Sequence, residues 1–495
     1  MTRTRGSQVT LGLGLGFTLV MIISLLITSC GGGSSTSTPP APPAPSPVAP
    51  GTDFTGSVIL GTPTSTRVVA NVYSADQSGA VYIAWGTQSG SYPSQTSTVT
   101  LTADQPLELT LSNLTPDADH FYRLYFKVKG SDTFNASEEA RFHTARAAGS
   151  TFTFTLQGDS HPEREKTMFN AALYARTLAT AAADQPDFHI CMGDDFSVDT
   201  LNAQTISASQ VRGRYTLQRP WLGAIGRQAP VFLVNGNHEQ AARYLLDGTP
   251  NNVAVWAQTA RNSLFSQPAP DGFYSGNAEQ VPFIGLLRNY FAWTWGDALF
   301  VVIDPYWSSS VPVDEPFGGG TKHTNAWDFT HGDAQYQWLK QTLEQSKAKY
   351  KFVFAHHVMG TGRGGVEVAS LWEWGGKDAS GKDVFSVQRP SWASTVHQLM
   401  VKNGVTIFFQ GHDHVWARQS LNGVTYQTLS VPADPNYGIG FGASYLSGDV
   451  LPSSGYTRVS VSPQRVKVDY VRTYLSADET SSQRSGSVAF SYTLP

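Results

Sequence analysis

The sequence predicts two consecutive folds, an all-β sandwich over residues 53–147 and a layered α/β domain over 150–475. Three observations carry this. Between 53 and 147, short alternating runs such as Val68-Val69-Ala70-Asn71-Val72-Tyr73 and Ala80-Val81-Tyr82-Ile83-Ala84-Trp85 are separated by Ser, Gly and Asp turns, the period-two pattern of strands. After Gly149, apolar strand-like runs alternate with helix-length stretches, which implies layers of sheet and helix with at least partly parallel strands. Hydrophobic residues make up 40% of the 495 and charged residues 15%, so the chain buries sizeable cores and is too long for one ordinary domain. The net charge of -4 offers no basic footprint, which argues against docking on nucleic acid and leaves a nucleotide substrate open.

The first segment reads as an address. Arg3 and Arg5 precede an apolar run over 11–27 that ends in Ile27-Thr28-Ser29-Cys30. A basic start, an apolar centre and small residues before a cleavage point describe an export signal over 1–30. Those last four residues resemble the lipobox of bacterial lipoproteins. That resemblance implies membrane attachment through a lipidated Cys30 and a location in the cell envelope, periplasmic or at the cell surface. An uncleaved signal anchor is the alternative, because the run is nearly long enough to span a bilayer. Residues 31–52 are Gly, Ser, Thr, Pro and Ala-rich and read as a spacer. The second cysteine, Cys191, lies in the run Phe188-His189-Ile190-Cys191-Met192 and is expected to be a buried, unpaired thiol.

Within 53–147, Leu111-Ser112-Asn113-Leu114-Thr115-Pro116 leads to Phe121-Tyr122-Arg123-Leu124-Tyr125-Phe126. This resembles the region of fibronectin type III domains where a tyrosine packs a corner of the sandwich. The segment has no cluster of His, Asp or Glu and is expected to be a spacer or dimerisation module. In the second domain, strands are expected at 152–156, 187–192, 230–234, 299–303, 351–355 and 405–409. Tyr336, Leu339 and Leu343 mark one face of a helix. Residues from 457 onward return to β texture, and 476–495 are expected to form a C-terminal tail.

Five polar motifs each sit where one of these apolar strands stops: Gly158-Asp159-Ser160-His161, Gly193-Asp194-Asp195, Gly236-Asn237-His238-Glu239, Ala355-His356-His357 and Gly411-His412-Asp413-His414. Ligand sites of open α/β sheets gather at the carboxyl ends of strands, so all five can converge on one rim. Carboxylate oxygen, amide oxygen and imidazole nitrogen suit Zn, Mn or Fe, and no thiolate takes part. Two ions a few ångströms apart need a bridging carboxylate with ligands on each side, and two Asp, one Asn and at least four His supply enough.

The order Asp-x-His, Gly-Asp, Gly-Asn-His-Glu, His, Gly-His-x-His resembles that of the calcineurin-like metallophosphoesterases, over roughly residues 150–432. The preceding β segment is similar to the N-terminal domain of plant-type purple acid phosphatases. The resemblance implies a metallophosphoesterase β-sandwich flanked by helices. It implies a dinuclear hydrolase of phosphate esters in which a hydroxide bridging the ions attacks phosphorus, with phosphomonoesterase activity first in line. Asp159, His161 and His414 would hold one metal, Asn237, His356 and His412 the other, and Asp194 would bridge them. His238 would contact the phosphate or protonate the leaving oxygen, and Glu239 and Asp413 would orient imidazoles from behind. One departure is clear: purple acid phosphatases carry a tyrosine three positions after the bridging Asp, where this chain has Ser197, and they lack a ligand at the position of His161. A colourless site is therefore expected.

After the fourth motif, Gly362-Arg363-Gly364-Gly365 and Leu371-Trp372-Glu373-Trp374 fall on a long loop. Arg363 is a candidate phosphate partner through its planar fork, beside His238 and His357 as substrate-binding residues. The tryptophans equally suit stapling of the loop to the core. His323 and His331 are not expected to bind metal, because the five motifs already fill both ions. Two other activities stay open: a phosphodiesterase or nucleotidase on the same site, and a non-catalytic surface lipoprotein. The small phosphate-ester substrate, the oligomeric state and the native ions are not specified by these motifs.

Overall fold

A computed structural model describes residues 54–314, 316–358 and 362–495; the segment read as an export signal, the expected spacer and Cys30 lie outside the described residues. Among the described residues no helix is long and apolar enough to cross a membrane.

Residues 57–143 form two antiparallel sheets. One contains β1 (Ser57–Gly61), β2 (Arg67–Tyr73) and β4 (Leu107–Ser112). The other is built on β3 (Gly79–Gly86), β5 (Asp119–Val128) and β6 (Ala140–His143), with shorter strands at its margins. The alternation that marked these strands fills a single core: Leu60, Val68, Ala70, Val72, Val81, Ile83, Leu109, Leu111, Tyr122, Leu124 and Phe126 are all buried. Over residues 119–127 of β5 the buried and half-exposed residues alternate, as a sheet with one wet face requires.

The second domain is two mixed sheets packed face to face. The first runs β9 (Val231–Leu233), β8 (His189–Cys191), β7 (Phe152–Gln157), β17 (Gly455–Val461), β18 (Val466–Arg472), β19 (Ser487–Leu494). Strands β7, β8 and β9 are parallel, and β17 to β19 add antiparallel to them. The segment read from the sequence as a tail thus supplies an edge strand of this sheet. The second sheet is eight-stranded, with a two-residue strand at one margin. Its order continues β10 (Phe291–Trp295), β11 (Ala298–Val302), β12 (Tyr350–Phe354), β13 (Ile407–Gln410), β15 (Val424–Thr428), β14 (Trp416–Leu421), β16 (Asp449–Leu451). Here β11, β12, β13 and β15 are parallel.

Period-two patterning explains how the sheets meet. Phe154 and Leu156 of β7, Phe352 and Phe354 of β12, and Ile407 and Phe409 of β13 enter the core between the sheets, with Phe232 stacked on Trp293 at 4.3 Å between ring centroids. The alternate residues Val353 and Phe408 face outward, against Tyr336, Leu339 and Leu343 of α4 (Asp333–Gln345) and Val396 and Leu399 of α5 (Val396–Lys402). The other outer face carries α1 (Ala171–Ala183), α2 (Ala208–Gly226) and α3 (Val253–Leu264): Val211, Tyr215 and Leu222 of α2 and Ala257 of α3 cover Cys191, Val231 and Leu233, and Tyr174 and Leu178 of α1 pack with Tyr456 and Val471. The expected α/β sandwich flanked by helices is the observed one, and Cys191 is buried and free.

The N-terminal sandwich docks on α2. Arg219 is buried, donates to the Asn71 side chain at 2.9 Å and to the Asn71 carbonyl at 3.0 Å, and burial lowers its guanidinium to about 9.

Candidate metal centre

All five motifs stand at the C-terminal ends of parallel strands, where turns must be tight enough to bring polar side chains together. Asp159 and His161 follow β7, Asp194 follows β8, Asn237 and His238 follow β9, His356 and His357 follow β12, and His412 and His414 follow β13. Four of these residues have left-handed backbones: His161 (φ 45), Asp194 (φ 57), His412 (φ 69) and His414 (φ 55). Such conformations cost a side-chain-bearing residue of order 1 kcal/mol and collect at functional sites. The glycines permit the crowding. A Cβ on Gly236 would lie 2.2 Å from Asp194 Oδ1, and one on Gly411 would lie 2.5 Å from Asp159 Oδ1.

The side chains form three overlapping groups able to hold a metal: Asp159, His161 and His414; His161, Asp194 and His238; and Asp194, His356 and His412. Asp159 Oδ2 lies 3.0 Å from His414 Nε2 and 3.6 Å from His161 Nε2. Asp194 Oδ2 lies 2.9 Å from His356 Nε2, 3.7 Å from His238 Nε2 and 4.0 Å from His161 Nε2, so it is shared between the groups.

The imidazoles are held from behind. His356 Nδ1 donates to the Met192 carbonyl at 2.7 Å and His161 Nδ1 meets Glu163 Oε1 at 3.0 Å, which directs both Nε2 atoms inward. His161 Nε2 then lies 3.2 Å from His414 Nε2, and His412 Nδ1 lies 3.2 Å from His356 Nε2. Two inward lone pairs at that distance require a shared proton or a cation. Asp159 Oδ2 and Asn237 Oδ1 are buried without a hydrogen-bond donor, which is costly unless a cation faces them. The donor set therefore fits metal ions.

The electrostatics agree. Burial opposes charge on His161 and His356, yet Asp159 and Glu163 raise the first, and Asp194 and Asp159 the second, each to about 10. Although burial favours its neutral form, His356 and the flanking imidazoles hold Asp159 well below the usual carboxylate range, and Asp194 is lowered likewise. Burial lowers His412 and His414, leaving them neutral with lone pairs to give.

Two residues take roles other than those expected. Glu239 orients no imidazole: its carboxylate accepts the backbone N–H groups of Asp194 (3.1 Å), Asp195 (2.8 Å), Phe196 (3.1 Å) and Gly236 (2.6 Å), clamping the turns after β8 and β9 together. Burial and the Asp194 charge push its carboxyl up to about 6. Asp413 instead accepts from Tyr445 Oη at 2.6 Å and the Gly364 N–H at 2.8 Å, pinning the glycine-rich loop. Among the substrate-binding candidates, His238 is 8% exposed and its Nδ1 meets Asp199 Oδ2 at 2.6 Å, with Nε2 turned to the centre. His357 is engaged within the protein, its Nδ1 on Tyr306 Oη at 2.7 Å and its ring stacked on His412. Arg363 donates to the His412 carbonyl and covers the Phe441 ring at 3.9 Å.

The sequence reading missed Glu163, Arg164, Asp199 and Asp314. Arg164 Nη2 lies 3.3 Å from His238 Nε2, and Asp314 Oδ2 lies 3.6 Å from His412 Nε2. Glu163 and Arg164 stand two and three residues past a motif histidine, the one signal that pointed to them. Trp374 is fully buried with its indole N–H on Tyr426 Oη at 2.8 Å, so it staples its loop to the core; His323 and His331 pair with Asp328 and Glu373 and belong to none of the three groups.

Fold and site together define a phosphoesterase hydrolase. The chain belongs to the calcineurin-like phosphoesterase family, whose model matches residues 152–416. Among solved structures it is similar in fold to PhoD, with a TM-score of 0.59 at 16% identity over 88% of this chain and 89% of that one. It is also similar to the purple acid phosphatase PPD1 from yellow lupin (Lupinus luteus) seeds, with a TM-score of 0.55 at 14% identity over 88% of this chain and 73% of that one. No curated protein matches the chain.

Proposed function

We propose that the chain is a dinuclear phosphomonoesterase, with Asp159, His161 and His414 at one ion, Asn237, His356 and His412 at the other, and Asp194 between them. The observation that carries this is the meeting of two carboxylate–imidazole clusters at Asp194 Oδ2. The donors suit Fe, Mn or Zn. Ions held there would neutralise charge on the phosphoryl oxygens and lower the proton affinity of water. The chain's own groups do the rest. Asp199 fixes the His238 ring through Nδ1, so the proton at Nε2 faces the centre and passes to the departing ester oxygen. Burial favours neutral His238, but Asp194 and Asp199 raise its proton affinity, which suits an acid. The ligand side chains are buried, and this favours a terminal phosphate over one esterified on both sides.

Export, a lipid anchor at Cys30 and a fibronectin III-like identity for the first sandwich belong to the same reading. The first two are supported by the sequence of residues 1–30, and the third by its corner motif and two-sheet arrangement.

The test is metal content with hydrolysis of p-nitrophenyl phosphate and bis-p-nitrophenyl phosphate after loading with Mn, Zn or Fe. Two ions per chain, faster monoester turnover and an iron form without a strong visible band are expected, Ser197 standing where a tyrosine would give colour. Faster diester turnover moves the assignment to a phosphodiesterase, and no bound metal under any loading sinks it.

A further inference from the structure

The rim of the centre carries one guanidinium aimed inward. Arg164 ends the short 3-10 turn Pro162–Arg164 that follows His161, and its backbone is fixed on both sides. Its N–H donates to the His161 carbonyl at 2.9 Å, and its own carbonyl accepts the N–H groups of Thr167, Met168 and Phe169 at 3.0–3.2 Å. The side chain is oriented by Glu163: Oε1 accepts from Arg164 Nε at 3.2 Å while also meeting His161 Nδ1 at 3.0 Å. One carboxylate oxygen thus ties a candidate metal ligand to the guanidinium.

The far end of the side chain is poorly satisfied. Nη1 reaches only the Met168 sulfur, at 3.7 Å, and Nη2 lies 3.3 Å from His238 Nε2, itself 3.7 Å from Asp194 Oδ2. The His238 ring is committed through Nδ1 to Asp199. The guanidinium fork and the His238 ring edge therefore converge on the same few ångströms beside Asp194, and an anion there supplies the acceptor that the fork lacks within the protein. The Arg164 side chain is 32% exposed, so it remains reachable by a ligand from solvent.

We propose that Arg164 is a substrate-binding residue that selects the terminal, dianionic phosphate of a monoester. A terminal phosphate presents three oxygens and two charges, enough to engage the centre and still offer an acceptor to the planar fork. In a diester one of those oxygens carries a second substituent, which meets the guanidinium in place of an acceptor. This rests on the phosphoesterase reading above and adds to it the recognition of the charge state.

The test uses the full metal-loaded chain and the variants Arg164→Lys and Arg164→Ala, with two readouts: titration of inorganic phosphate by calorimetry, and the ratio of kcat/KM for p-nitrophenyl phosphate to that for bis-p-nitrophenyl phosphate. For Arg164→Ala, phosphate affinity is expected to fall about tenfold or more and the monoester-to-diester ratio about tenfold, mainly through KM for the monoester. Arg164→Lys, which keeps charge and stem without the fork, is expected to fall between. If the alanine variant loses metal, the lysine variant carries the comparison. Phosphate affinity and ester ratio both within about twofold of the parent chain in the metal-loaded lysine and alanine variants overturn the proposal. A parent chain that turns over the diester faster sinks the phosphomonoesterase reading instead, and the phosphate titration still decides the role of Arg164.

Discussion

His189 is an imidazole that the chemistry does not use, held in β8 with Nδ1 at 2.8 Å from Thr155 Oγ1 and Nε2 at 3.3 Å from Gln157 Oε1. Burial lowers its pKa from 6.5 to about 3. Over that interval the unfolded chain binds a proton that the folded chain refuses, so the stability held by neutral His189 is present above about pH 6.5 and is lost as pH falls toward 3. By about pH 4.5 the loss amounts to roughly 2–3 kcal/mol. Thermal melts of the parent and His189→Gln should therefore converge on acidification, the variant showing a flatter decline of Tm between neutral pH and about pH 4.5. Equal slopes would remove His189 as a source of acid sensitivity. The residue scale is also where sequence reading went astray at Glu239 and Asp413. Their neighbours in the chain are histidines, but their carboxylates turn to backbone N–H groups, and no spacing rule reports that choice.

Each strand that ends in a motif contributes a turn of two to four residues, and the turns rather than the strands bear the strain. Left-handed His161, Asp194, His412 and His414 have no spare freedom to relax, so neighbouring groups must hold them. The Glu239 carboxylate does this for two turns at once, through four buried backbone donors. Glu239→Ala leaves those donors without acceptors and is expected to cost about 3 kcal/mol or more in chemical unfolding. It should also lower metal occupancy, because Asp194 and Asn237 sit on the released turns. Metal content at the level of the parent chain, with stability reduced by less than about 1 kcal/mol, would mean that the turns hold themselves.

At the scale of the molecule, the two large sheets are joined by an aromatic core, and the candidate ligands come from strands of both: Asp159, Asp194 and Asn237 from the first sheet, His356, His412 and His414 from the second. A cation among them therefore links the sheets across one edge. Chelation is expected to lower Tm, and an ion at about a thousand times its dissociation constant to restore about 4 kcal/mol. A melt series with chelator and then Mn or Zn checks this, and a Tm indifferent to both would separate the cluster from metal binding. The docked N-terminal sandwich, held by buried Arg219 on Asn71, is outside this linkage and keeps its own core.

The sequence by itself determined the six strands that carry or flank the motifs, the helix over 333–345 and the list of metal-site candidates. Period-two apolar runs have one way to bury a face, and Gly-Asp, Gly-Asn and His-x-His at their ends are legible because strands of a parallel sheet end on a common rim. Ligand turns 253 residues apart in the chain, such as His161 and His414, could be paired only by position in a list. Tertiary structure decided what stands behind that list: that Glu163 and Asp199 hold the rings, that Glu239 binds backbone, that Arg164 reaches His238, and that 487–494 complete a sheet. Those choices depend on distances between side chains of distant strands, set by how two sheets pack, and a local pattern carries no record of them.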